Sequence, residues 1–168
     1  VDLRLNWSVA QAGYALAWFG LLGAIVQGVI LRQITSAKAQ PVIIVIGLFL
    51  TILGLIGIAL PIESSGLLIG TLSVLAIGVG LAVPTLSAQL STSASRHTQG
   101  RVHGLTQSAT AIGRSGGYLM GGSLFYAVNA MLCYLLAAGL TALGLLLVSA
   151  GRGKSSDDVD IEPTIETP

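Results

Sequence analysis

Few side chains in this sequence can do chemistry, and their spacing limits what that chemistry is. His97 and His103 share a polar connecting segment with no carboxylate or thiol at ligand spacing, so no metal site is expected. Cys133 is the single cysteine, which excludes a disulfide framework, and in its apolar surroundings it is expected to be inert. No Asp or Glu falls inside an apolar stretch, which removes paired carboxylates and proton-relay acids; the chain is expected to be no enzyme and to need no cofactor. What remains is a stripe of small polar groups. Thr71, Gly78, Thr85 and Gln89 recur at spacings of seven, seven and four, which puts them on one helical face, and Pro84 removes a backbone donor beside Thr85. Broken or kinked helices with freed backbone groups are a recurring feature of solute sites in membrane transporters. Thr71, Thr85 and Gln89 are therefore candidate cavity residues, although each hydroxyl taken singly can instead bond back to the carbonyl one turn earlier.

Arg114 is the single charge between Arg101 and Arg152. If its helix began at Gly104 it would lie about 15 Å in, a costly depth without a partner. Residues 105–117 are polar, however (Thr106, Gln107, Ser108, Thr110, Ser115), so the helix can begin outside the membrane and leave Arg114 at the inner interface. An interfacial arginine and one with a gating or ligand role both stay open. Glycine makes up 22 of 168 residues, nearly twice the usual share of about 7%. Ala109, Gly113, Gly117 and Gly121 recur every four residues, and Gly13, Ala17, Gly20 and Ala24 make a similar stripe with Gln27 one turn on. Such small-residue stripes let helix backbones approach closely, as static packing or as a rocking surface between two halves of a transporter.

The elements that must position these residues follow from composition. The chain is 53% hydrophobic with a mean hydropathy of +0.85 and carries 8 Lys or Arg against 7 Asp or Glu. Five of the acids (Asp157, Asp158, Asp160, Glu162, Glu166) crowd the C-terminal end. Residues 5–31 hold no charge, 39–95 only Glu63, and 102–151 only Arg114, where a bilayer-spanning helix needs about 20 mainly apolar residues. Nucleic-acid binding is excluded by a net charge of +1 and 5% aromatics. Continuous apolar runs such as 42–60 exclude barrel strands, which alternate, and leave helices to satisfy the backbone in lipid. The expectation is an all-α integral membrane protein with five spans at 10–31, 42–60, 67–90, 105–128 and 130–150, forming a domain over 1–150, followed by a disordered acidic tail over 151–168. Residues 1–6 lack the basic region of a signal peptide, so none is expected there; Val1 stands in place of an initiator Met, and the chain is expected to be a fragment.

Positive residues are retained on the cytoplasmic side. Placing the first loop inside gathers Arg32, Lys38, Arg96, Arg101, Arg152 and Lys154 there and leaves Arg4 outside. The N-terminus is thus expected outside and the C-terminus in the cytoplasm, in a cell membrane, with Trp7, Tyr14 and Trp18 near the outer interface. The second and fifth spans are the least polar and are expected at the lipid-facing periphery. The first, third and fourth carry Gln, Thr, Ser and Gly and are expected to face protein.

One family accounts for these features together. The run Asn6-Trp-Ser-Val-Ala-Gln-Ala-Gly13, with Phe19-Gly20 and Gln27-Gly28, resembles the eighth-helix region of major facilitator superfamily transporters, especially the drug-efflux branch. Gly78-Val-Gly80-Leu-Ala-Val-Pro84-Thr-Leu-Ser resembles the tenth helix, and Gln99-Gly-Arg-Val-His-Gly104 with Arg114, Gly117 and Gly121-Gly122 the loop and eleventh helix. Segment 32–40 departs from the family's Gly and paired-Arg pattern, and Tyr118 stands where proline is common. The resemblance implies the last five of twelve helices of a secondary transporter for a small-molecule substrate. Its third span would line the cavity, and its first and fourth would pack against an N-terminal half missing from this chain. The alternative reading is a non-transporting five-span scaffold or subunit of a membrane complex, held in the lipid bilayer by the same helices.

Overall fold

The computed structural model describes residues 7–30, 39–61, 64–93, 98–127 and 129–157. They form five helices: α1 (Val9–Ile25, continued by a π-helical turn over Val26–Ile30), α2 (Gln40–Ala59), α3 (Ser65–Ser93), α4 (Gln99–Ala127) and α5 (Ala130–Asp157). No strand occurs among the described residues. Each expected span contains one helix, but the polar boundaries moved outward. Much of the stretch expected as a loop between the third and fourth spans is helical, because α3 runs on to Ser93 and α4 already begins at Gln99. Likewise α5 continues past Ala150 to Asp157, into the stretch expected to be disordered, and the remainder of that tail lies outside the described residues. Polarity alone does not end a helix. Once a helix is formed, each further residue adds one hydrogen bond at little cost, and Ser, Thr, Gln and Arg are all tolerated.

Local chemistry sets several ends. Ser8 caps α1 in a reciprocal box with Gln11: the Gln11 amide donates to Ser8 Oγ at 3.3 Å, and the Ser8 amide donates to Gln11 Oε1 at 2.9 Å. Pro41 occupies the first turn of α2, where its missing N–H is not needed. At the far end Leu60 adopts an extended conformation ahead of Pro61, which disfavours helix in the residue before it. Asn129 starts α5, its Oδ1 accepting from the Met131 amide at 3.3 Å.

Among the described residues four segments can cross a membrane by length and composition: Val9–Gly28, Gln40–Ala59, Ser65–Ser91 and Ala130–Ala150. α4 does not join them, because Thr106, Gln107, Ser108, Thr110, Arg114 and Ser115 dilute the apolar content of its first half.

Packing centres on α2 and α3, which run antiparallel with their backbones nearly touching. Gly57 lies against Thr71, Gly54 against Leu75, and Gly47 and Thr51 against Gly78. There is no room for side chains at these crossings. A Cβ on Gly54 would sit 2.7 Å from Leu75 Cβ, and one on Gly78 would sit 2.5 Å from the Thr51 nitrogen. Below the glycines, Ile43 of α2, Leu81 of α3 and Val26 of α1 form a buried cluster that joins three helices. α1 packs along α3, and α5 packs against α2 with Ala138 buried.

The least polar helix, α2, is therefore not simply peripheral. One stripe (Val42, Ile46, Phe49, Leu53, Ile56, Leu60) is exposed, whereas Ile43, Ile44, Gly47, Thr51 and Gly54 are buried. The expectation from side-chain polarity failed here because glycine, which carries no side chain to score, is what brings α2 into contact with α3.

Two glycines of α3 test this arrangement. Gly78→Val should cost about 1–3 kcal/mol or more from overpacking, read as a lower apparent melting temperature of the purified chain in detergent. Gly70→Ala, inside the same helix at a position with nothing within 4 Å of the new Cβ, should lose no stability and gain up to about 1 kcal/mol. Equal losses in the two variants would show that the α2–α3 contact is wrongly placed.

Candidate functional site

Polar side chains inside these helices differ in the face they occupy and not in where their hydroxyl protons go. Thr51, Thr85, Ser73, Ser87, Thr106, Thr110, Ser123 and Thr141 each donate to the carbonyl four residues earlier, at 2.6–3.0 Å. The proton is thus satisfied within the helix, and only the oxygen lone pairs remain to meet a solute.

The residues expected to line a cavity divide accordingly. Thr71 donates to Leu68 O at 2.9 Å, and its methyl fills the notch above Gly57. Thr85 is 3% exposed and donates to Leu81 O at 2.6 Å. The α2–α3 register places it opposite Ile44, the most deeply buried large side chain. Both threonines therefore stand in helix packing. Gln89 is half-buried on the same helix, one turn beyond Thr85. Pro84, half-buried inside α3, cannot donate to the carbonyl of Gly80, and Gly80 is where α1 comes nearest: a Cβ there would lie 3.2 Å from Val26 Cγ1.

The open polar space lies on the opposite face of α3. Ser87, Leu90 and Ser91 of α3 face His103, Thr106, Gln107, Thr110 and Arg114 of α4 across a cleft of about 420 Å³. Where the facing ends of α3 and α4 come together, Gln99 Nε2 approaches Ser91 O at 3.5 Å. Among the described residues no carboxylate lines it. The walls supply hydroxyl lone pairs from Ser87, Thr106 and Thr110, while the donors that point to a ligand come from Gln107, His103 and the five N–H groups of Arg114. Such a lining suits an acceptor-rich or anionic solute, or a carboxylate brought by another helix.

Arg114 is exposed and sits 15 residues into α4, so the helix does begin well before it, as the polarity of residues 105–117 suggested. His103 belongs to this helix and not to a connecting loop, and His97 lies outside the described residues. The signal for this wall was present in the sequence. Gln99, His103, Thr106, Thr110 and Arg114 follow helical spacing once the helix is begun at Gln99.

The small-residue stripes expected to pack are placed differently from the glycines that do. A Cβ added at Gly13, Gly20, Gly113, Gly117 or Gly121 would meet nothing within 4 Å, and Arg114 stands exposed among the last three. Gln27 is exposed and lies in the π-helical turn of α1. The α4 stripe meets a neighbour at Gly121, whose carbonyl lies 3.9 Å from Cys133 Sγ.

Long apolar helices, exposed lipid-compatible side chains and a polar cleft between two of the helices define a multi-pass membrane protein. The model of the Major Facilitator Superfamily matches residues 2–163, and the chain belongs to this family of transporters. It is 29% identical over 150 residues to the mouse protein described as major facilitator superfamily domain-containing protein 10. That match covers 86% of this chain and 31% of the mouse protein, so the chain spans less than a third of the length of its curated relative. No solved structure matches.

Water should distinguish the two polar faces. In a Cys133→Ser background, Gln107→Cys in the cleft should react with a water-soluble maleimide at least about tenfold faster than Thr85→Cys in the packed interface, since thiol reactivity follows exposure. Equal rates would mean that the cleft is not the wet face of the bundle.

Proposed function

We propose that this chain is the C-terminal part of a secondary active transporter, of a drug-efflux-like kind, that moves a small molecule by alternating access. The family match over residues 2–163 carries this reading. Two further observations support it. The chain corresponds to under a third of its mouse relative, so most of such a protein would have to come from elsewhere. The cleft between α3 and α4 also has only two walls, and a second half would supply the others. In this reading His103, Gln107 and Arg114 meet the solute or a carboxylate of the other half. The unpartnered faces at Gly13, Gly20, Gly113 and Gly117 pack against that half. Thr71, Thr85 and Pro84 hold the shape of α3, and Gln89 continues their face toward its C-terminal end.

The topology proposed from Lys and Arg places the N-terminal ends of α1 and α3 outside and the α3–α4 connection in the cytoplasm of a cell membrane. The cleft then lies in the cytoplasmic half of α3 and α4, near the side from which a solute bound for export would come.

Reconstituted alone in liposomes, the purified chain should give no saturable uptake or release of lipophilic drugs, because one half cannot enclose a site and alternate its exposure. Saturable transport by the chain alone would overturn the half-transporter reading. Its topology is tested separately: in a Cys133→Ser background in intact cells, Ser64→Cys should react with an impermeant thiol reagent, and Gly100→Cys only after the membrane is opened. Labelling of both from one side would refute the proposed orientation.

A further inference from the structure

α1 and α3 run parallel, and the contacts between them hold a nearly constant offset. Trp7 Nε1 donates to Ser65 Oγ at 2.9 Å, Trp18 Nε1 donates to Ser73 Oγ at 2.9 Å, and Val26 packs on Gly80. At the Val26 end the gap is closed by one methyl group. Toward the N-terminal ends it is bridged by whole indole side chains, so the two helices splay. The wedge between them is a cleft of about 460 Å³, lined by Trp7, Gln11, Tyr14, Ala15, Trp18 and Ile69 with Ser65 at its mouth. Trp7, Gln11, Tyr14 and Trp18 are spaced four, three and four apart, a single face.

The chemistry of this cleft changes with depth. Ser65 and Gln11 stand at the mouth, while Ala15, Trp18 and Ile69 form the inner end, and among the described residues no charged side chain lines it. Both indole N–H groups are taken by serines, so the rings offer an occupant apolar surface. Gln11 Oε1 is likewise engaged by the Ser8 amide at 2.9 Å. From Trp7 to Trp18 is about 16 Å along a helix, roughly half of a hydrocarbon core about 30 Å thick. A small-molecule site would carry several convergent polar groups to fix its ligand. Here Ser65 and Gln11 lie at the mouth, the Tyr14 hydroxyl is the one further polar group of the lining apart from the bonded indole N–H groups, and the depth is that of one leaflet.

We propose that this cleft holds one acyl chain of a phospholipid, the headgroup at Ser65 and Gln11 and the chain running past Tyr14 and Ala15 to Trp18. The inference requires only that α1 and α3 lie in a bilayer and is independent of any transport activity.

Trp7 and Trp18 are the only tryptophans of the chain, so its indole emission reads this cleft. Titrated in detergent micelles with phosphatidylcholine brominated on its acyl chain, the emission should fall to a plateau at an equimolar ratio of lipid to chain. Quenching that rises in proportion to the lipid-to-detergent ratio, without a plateau, would overturn the proposal. With Trp7→Phe, the remaining Trp18 should be quenched more by bromine near the methyl end of the chain than near the carbonyl. With Trp18→Phe the order should reverse, and the same order in both variants would refute the assigned direction.

Ala15→Phe, which fills the floor of the cleft, should abolish the plateau while circular dichroism keeps its helical signal. Ile69→Phe serves the same purpose if Ala15→Phe does not fold. A plateau that survives either filling places the lipid elsewhere. Saturable quenching by 4-bromophenol but not by the lipid would assign the cleft to a soluble ligand, and would equally overturn the proposal.

Discussion

The contact between the α2 and α3 backbones is the constraint on which the other helices depend. In a bilayer, apolar side chains gain nothing by leaving lipid for protein, so association rests on close van der Waals packing and on the few groups that can bond across helices. Gly47, Gly54 and Gly78 supply that packing by removing every atom that would hold the two axes apart. Once α2 and α3 are in register, Leu81 and Ile43 are adjacent and Val26 of α1 closes on both. The same register leaves the far side of α2 for α5 and turns the Ser87 face of α3 toward α4. The position of the polar cleft is therefore a consequence of which glycines meet, and only secondarily of which residues are polar.

That ordering explains why polarity was an incomplete guide to the site. A threonine inside a helix looks the same in sequence whether it meets a solute or its own backbone. Thr85 satisfies itself on Leu81 O and is buried, and Ser87, two residues on, satisfies itself on Val83 O and faces open space. Their hydroxyls do the same local work. Two residues correspond to about 200° around a helix, so the difference between them is the identity of the helix on each side, which is a property of the packed bundle.

The five helices were legible because each is an apolar run bounded by proline, glycine or charge, and the residues of the cleft wall on α4 lie at helical spacing from Gln99. What could not be read was pairing. Gly47 and Gly54 sit seven apart in the most apolar helix, with Thr51 between them, a spacing as visible as that of Gly113, Gly117 and Gly121. Yet the first set packs within this chain, whereas Gly113 and Gly117 of the second face open space and Gly121 alone meets a neighbour. A small-residue stripe states that something can come close, and only a partner of matching shape decides whether it does. Helix ends were the other weak point, since α3, α4 and α5 continue through Ser, Thr, Gln and Arg beyond the apolar runs that defined them.

α4 carries the consequence furthest. Its neighbours hold it near its two ends, at Gln99 beside Ser91 and at Gly121 beside Cys133. Between them Gly113, Gly116 and Gly117 have nothing near, and Arg114 is exposed. Each glycine inside a helix costs about 0.5–1 kcal/mol relative to alanine, so this run weakens α4 with no packing gain inside the chain. The glycines of α2 and α3 carry the same intrinsic cost and recover it through contact. A helix of this composition becomes favourable when a second helical surface lies against it at backbone distance. An exposed arginine beside that surface then has a place for a carboxylate, of which the described lining of its cleft holds none. In the proposed half-transporter the polar first half of α4, its glycines and its arginine share one physical explanation, a helix that takes its main partner from the other half.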